Sequence, residues 1–115
     1  MLPEKDVVRL QHILLAARSA VAAAAGRMRD EVDRDEGLLN TLVRSLTVIG
    51  EAANQLSAET REEVPGPEWK RMVRMRNHLV HSYWDINLDV VWQTVSEDLP
   101  PLIAALERVI PEDSL

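Results

Sequence analysis

The chain has 115 residues, 46 % of them hydrophobic and only 3 % aromatic, with no Cys or Phe, and 19 acidic against 13 basic side chains leave a formal charge of −6. This size fits one domain, residues 1–115, and the Ala-, Leu- and Val-rich composition excludes a pleated sheet in favour of packed helices; lack of Cys excludes a disulfide framework and a thiolate metal site. The acidic balance excludes a general nucleic-acid coat, which draws its energy from many Lys and Arg on phosphates, so any nucleic-acid site must be local.

Pro3, Glu4 and Asp6 suit the first turn of a helix, where a missing N–H costs nothing and negative charge meets the positive dipole end. Leu10, Ile13, Leu14, Ala17, Val21 and Ala24 then recur at three- and four-residue intervals, carrying helix one to about Ala25, before Gly26. No apolar run reaches membrane-spanning length, and Leu2 to Asp6 lacks the basic start of a signal peptide, so a cytoplasmic protein with no membrane partner is expected. Arg27 to Gly37 alternates acids and bases without an apolar period and reads as a loop or frayed turn. From Leu38, a stripe of Leu39, Leu42, Val43, Leu46, Ile49, Ala53 and Leu56 predicts the second helix, with Asp35 or Asn40 as cap. Gly50 interrupts it at a cost of about 1 kcal/mol against Ala, which points to a close backbone approach by another element.

Pro65-Gly66-Pro67 closes a short turn over Ala58 to Glu63 and opens a third helix with Trp69, Met72, Val73, Leu79 and Val80 as its apolar face. Asn87 caps the last helix, whose stripe of Leu88, Val91, Trp92, Val95 and Leu99 resumes at Leu102, Ile103, Leu106 and Val109. Pro100-Pro101 cannot extend an undisturbed helix, so a kink or restart is expected there. Four main helices with short connections predict an all-α, antiparallel four-helix bundle.

The chemistry is concentrated in Arg76-Asn77-His78-Leu79-Val80-His81-Ser82-Tyr83, directly after the basic residues Lys70, Arg71 and Arg74. On an unbroken helix Arg76, Leu79, Val80 and Tyr83 share one stripe, making Arg76 and Tyr83 neighbours, while Asn77 and His81 share another. Arg76 and His81 then stand about 140° apart, so they meet at one point only if the helix frays or the ligand spans the groove. That suits an elongated phosphodiester. His78 and His81 have metal-ligand spacing, but a zinc site would need His12 or Glu51 from elsewhere, and no metal or other cofactor is expected. No Gly-rich phosphate loop or nucleophile elbow is present. An Arg with a His remains, a pair able to stabilise a pentacovalent phosphorane and move protons near neutrality; a purely structural Arg and His is the competing account. Surface charge competes in the same way for Glu51.

The run spells the Arg-x4-His-x-Tyr motif of the HEPN superfamily as it occurs in HepT-like toxins, which the chain resembles. Asp6-x2-Arg9-Leu10-x-His12-Ile13-Leu14 resembles the family's opening helix, Ile49-Gly50-Glu51-Ala52 its second-helix signature, and Trp69, Val91-Trp92 and Leu99-Pro100 its later landmarks, so the likeness covers about residues 6 to 109. One departure is local: Glu68 separates Pro67 from Trp69, where the family tends to place Pro directly before Trp. The resemblance implies a HEPN-type four-helix bundle acting as a homodimer, with motifs of both subunits lining one cleft, and a metal-independent ribonuclease, the toxin of a toxin–antitoxin pair. Its antitoxin partner would be a MntA-like minimal nucleotidyltransferase that transfers AMP to Tyr83. Within that frame His81 is the acid/base group for the RNA 2′-hydroxyl or the leaving 5′-oxygen, and Arg76 stabilises the phosphorane, giving 2′,3′-cyclic phosphate ends. Asn77 would orient the His81 ring, Glu51 would position Arg76, and His78 and His12 would rim the cleft. The alternative is a non-catalytic helical module that partners a nucleotidyltransferase, which would have no need of Arg76, His81 and Tyr83 together.

Overall fold

The computed structural model describes residues 2–111; residue 1 and residues 112–115, the ends of the expected 1–115 unit, lie outside the described residues. Its helices are α1 (Glu4–Ala24), α2 (Glu31–Arg34), α3 (Glu36–Asn54), α4 (Ala58–Glu63), α5 (Trp69–His81), α6 (Leu88–Gln93) and α7 (Leu99–Val109). The long helices α1, α3 and α5, with α6 and α7 as a two-part fourth, form the all-α four-helix bundle.

Helix α1 ends where Gly26 takes a positive φ of 72°, which a side chain would oppose. It buries Leu10, Ile13, Leu14, Ala17 and Ala20 against α3 and α7, where Leu42, Ile49, Leu99 and Leu106 are almost fully enclosed. Each such large side chain contributes about 1.5–3 kcal/mol through the apolar area removed from water. Contrary to the expectation that no apolar run is long enough, α1 has the length and composition to cross a membrane, with 21 residues and an 18-residue stretch of mean hydropathy 1.3. The alanines between Ala16 and Ala24 raise that mean, while the Leu and Ile side of the helix is committed to the core.

The charge-dense stretch after α1 is more ordered than its lack of period suggests. Arg27 bonds Glu31 (3.1 Å) and Asp35 (2.7 Å), and Arg29 bonds Asp33 (3.1 Å) and Asp89 (2.6 Å). Exposed pairs of this kind are individually weak; Val32, 2 % exposed, anchors the segment in the core. Asp35 caps α3 by accepting from the Leu38 N–H (3.0 Å), and with the Arg27 guanidinium this holds its carboxyl below the usual range.

Pro100 and Pro101 occupy the start of α7, and the irregularity lies one turn earlier, in a π-helical turn over Thr94–Asp98. The Leu99 N–H donates to the carbonyl of Thr94, five residues back, which widens the helix where the proline rings would otherwise crowd the preceding turn.

A buried polar node ties α1 to the α3–α4 junction. Asp6, 2 % exposed, accepts from the hydroxyls of Ser57 (2.6 Å) and Thr60 (2.5 Å) and the Ser57 N–H (3.3 Å), with Arg9 at 3.4 Å; Arg9 also donates to the Gln55 carbonyl (3.0 Å). Burial pushes the Asp6 carboxyl up, but the bonds from Ser57, Thr60 and Arg9 outweigh it and hold it below its ordinary value. Its stabilisation is therefore full above the unfolded value of about 3.9 and disappears as pH falls through the lower folded value. Replacing Asp6 by Ala should lower stability at pH 7 by about 2–3 kcal/mol in urea unfolding, and the gap from the parent should shrink between about pH 5 and pH 2. A gap independent of pH would mean that the ionised carboxylate is not what holds the node.

Candidate functional site

The motif straddles the end of α5. The helix stops at His81 because Ser82 leaves helical geometry (φ −132°, ψ 40°), and Tyr83–Asp85 forms a tight 3-10 turn closed by the Asp85 N–H on the Ser82 carbonyl (2.9 Å). His78 Nε2 lies 3.2 Å from the Asp85 carbonyl and pins this turn in the tautomer that carries its proton there. The unbroken stripe expected from Arg76 to Tyr83 is thus interrupted: Tyr83 is 71 % exposed in the turn and makes no hydrogen bond to Arg76. It meets Trp84 instead, edge to face at 5.4 Å, and Trp84 is itself 73 % exposed. Sequence reasoning passed over Trp84; its signal was an aromatic outside any apolar period, immediately after the motif.

Arg76 is set by the packing of α5 on α3. A Cβ on Gly50 would run into Arg76 Cβ and come within 2.7 Å of the Met72 carbonyl and 2.9 Å of Arg76 Cγ, so only Gly lets the helices meet here. The guanidinium then reaches Glu51 Oε1 on α3 (3.4 Å) and donates to Asn77 Oδ1 (3.0 Å). Its Nε is buried without a partner among the described residues. Asn77, expected beside the His81 ring, is bonded to Arg76 instead. His81 is exposed at the last position of α5, and neither it nor His12 on α1 hydrogen-bonds another described residue. The structure therefore brings Glu51, Arg76 and Asn77 together, while the imidazoles of His81 and His12 are exposed and stay outside that set of hydrogen bonds. Among the described residues no three His, Asp or Glu side chains converge to hold a metal ion.

Two hollows flank α5. An apolar one of about 350 Å³, lined by Leu46, Met72, Leu99 and Leu102 among others, contains neither Arg76 nor His81. The other, about 440 Å³, is lined by Arg61, Glu68, Trp69, Lys70, Arg71 and Arg74.

An all-α bundle whose third long helix carries Arg76 and His81 at Arg-x4-His spacing is a HEPN-type domain. A family model described as "Ribonuclease HepT-like" matches residues 13–109, and the chain belongs to that family. It is 30 % identical to a candidate RNase of Caldanaerobacter subterraneus subsp. tengcongensis over 90 % of this chain and 93 % of that protein. It is 31 % identical to a candidate RNase of Methanocaldococcus jannaschii over 96 % of this chain and 93 % of that one. A probable ribonuclease HepT of Thermococcus cleftensis is 35 % identical over 59 % of this chain and 62 % of its own. No solved structure gives a significant match.

Gly50→Ala should destabilise the fold by about 1–3 kcal/mol in urea unfolding, although Ala is the better helix former, because the new methyl meets backbone as well as a side chain. A neutral or stabilising outcome would show that α3 and α5 have room to separate.

Proposed function

We propose that the protein is a metal-independent RNA endonuclease, the toxin of a HepT/MntA-like toxin–antitoxin pair, working in the cytoplasm as one domain over residues 1–115. The observation that carries this reading is the pairing of an Arg76 held by Glu51 and Asn77 with an unengaged His81 at the end of the same helix. Membership of a ribonuclease family supports it, as do the names that the relatives bear.

In the reaction the RNA 2′-oxygen bonds to the adjacent phosphorus while the bond from phosphorus to the 5′-oxygen breaks. His81 takes the 2′-hydroxyl proton or delivers one to the departing 5′-oxygen, and Arg76 neutralises charge on the pentacovalent phosphorane; the products are a 2′,3′-cyclic phosphate and a 5′-hydroxyl. Glu51 and Asn77 hold the guanidinium in place. Five positions separate Arg76 from His81, about 140° and about 7.5 Å along a helix, so a homodimer in which two α5 ends face one cleft brings Arg and His to the same phosphate more readily than one helix does. Replacing His81 or Arg76 by Ala should cut cleavage of an RNA panel by about 10²-fold or more in excess chelator. Variants that cut as fast as the parent would remove both residues from the chemistry.

Control runs through Tyr83, whose exposed phenol is open to a nucleotidyltransferase. Transfer of AMP from ATP to the phenolic oxygen, with release of pyrophosphate, adds a bulky anionic phosphodiester beside the motif and competes with RNA for Arg76. The Tyr83→Phe variant should fold, cleave RNA at near the parent rate, and gain no AMP mass when incubated with a MntA-like partner and ATP. An adduct on another residue, or an adduct on Tyr83 with cleavage intact, would contradict this control.

A further inference from the structure

Many basic side chains of this acidic protein are tied to carboxylates, as in the pairs of Arg18 with Glu107 and Arg34 with Asp30. Lys5, Arg44 and Arg108 are exposed without a hydrogen bond or ion pair among the described residues, and so are Lys70 and Arg74, which both lie on α5. Helical spacing sets them in line with the motif. Lys70, Arg74, Asn77 and His81 stand at i, i+4, i+7 and i+11, within about 60° of one another on the helix, and all four are exposed. At about 1.5 Å per residue, Arg74 lies about 10 Å and Lys70 about 16 Å before His81 along the axis, too far to share its phosphate.

Beside this stripe lies the hollow of about 440 Å³ whose cations are Arg61, Lys70, Arg71 and Arg74. The one carboxylate lining it, Glu68, is engaged by Arg71 at 3.4 Å. Two of the residues that line it, Arg61 and Trp69, also carry buried N–H groups, Arg61 Nε and Trp69 Nε1, without a partner among the described residues. Arg71 is paired with Glu68 and Asp98 and Arg61 donates to the Ala53 carbonyl, which leaves Lys70 and Arg74 as the unpaired cations of this flank, suited to an anionic ligand.

We propose that the outer face of α5 from Lys70 to Arg74, with the Arg61 hollow, is an RNA-backbone subsite that binds phosphates flanking the scissile one. This rests on the ribonuclease reading and extends it, for it makes the substrate an oligonucleotide several residues long rather than a dinucleotide. Lys70 and Arg74 bind without taking part in bond breaking, so their loss acts on binding alone. The test compares the parent with the double variant Lys70→Gln/Arg74→Gln, using a fluorescent single-stranded octaribonucleotide and a dinucleotide. In the His81→Ala background, which keeps the octamer intact, the double change should weaken octamer binding roughly tenfold or more at low salt and flatten the slope of log K against log salt by about 1.4, two phosphate contacts on a single strand. With His81 present it should raise KM for the octamer and leave its kcat, and all cleavage of the dinucleotide, unchanged. Equal octamer affinity and salt slope would overturn the subsite while leaving the ribonuclease standing, and a fall in dinucleotide kcat would overturn it by showing a structural role. Octamer bound through Lys70 and Arg74 but never cut would uphold the subsite and sink the ribonuclease instead.

Discussion

The close approach of α3 to α5 at Gly50 is the constraint on which the motif depends. The first two carbons of the Arg76 side chain occupy the space where a Cβ at position 50 would lie, so the arginine is fixed at its root by backbone contact as well as by hydrogen bonds at its tip. Glu51, one residue further along α3, then meets the guanidinium at 3.4 Å. A glycine that weakens its own helix by about 1 kcal/mol thereby gives a charged group a reproducible place at the edge of the bundle. Fixing a cation before substrate arrives reduces the reorganisation required during reaction, the general basis of electrostatic catalysis.

Charge is divided in a related way. The bundle carries a formal −6, and its ion pairs gather around the α1–α3 connection and the far ends of the helices, where Arg27, Arg29 and Arg34 are each matched to acids. Along α5 the pattern is mixed: Arg71 meets Glu68 and Asp98, Arg76 meets a single carboxylate through one long contact, and Lys70 and Arg74 are unmatched among the described residues. The exposed pair Tyr83 and Trp84 sits in the tight turn that follows that helix.

Much of this was legible in the amino-acid order. The stripes of α1 and α3, the cap at Asp35, the break at Pro65-Gly66-Pro67 and the disturbance near Pro100-Pro101 all follow from local rules, and Gly50 announced a close contact because nothing local justified it. Tertiary effects were hidden. Asp6 reads as an ordinary first-turn acid, yet it is buried because Ser57 and Thr60, more than fifty positions away, converge on its carboxylate. Val32 is one apolar residue in a run of charge, too little to make a period, and still orders the segment. The end of α5 at His81 was missed because Ser82 and Tyr83 fit the helical stripe by spacing; what stops the helix is the turn closed by Asp85 and held by His78, which periodicity does not encode. Asn77 likewise shares a stripe with His81, but its Oδ1 accepts from the Arg76 guanidinium.

The central claim is that one Arg and one His, without a metal, cut RNA through its own 2′-oxygen. The most direct measurement is the chemistry of the new ends, read by mass spectrometry on RNA fragments made by the purified protein in excess chelator. The account predicts 2′,3′-cyclic phosphates paired with 5′-hydroxyls. Fragments ending in 3′-hydroxyl and 5′-phosphate would contradict it, because they require water rather than the neighbouring hydroxyl as the attacking group.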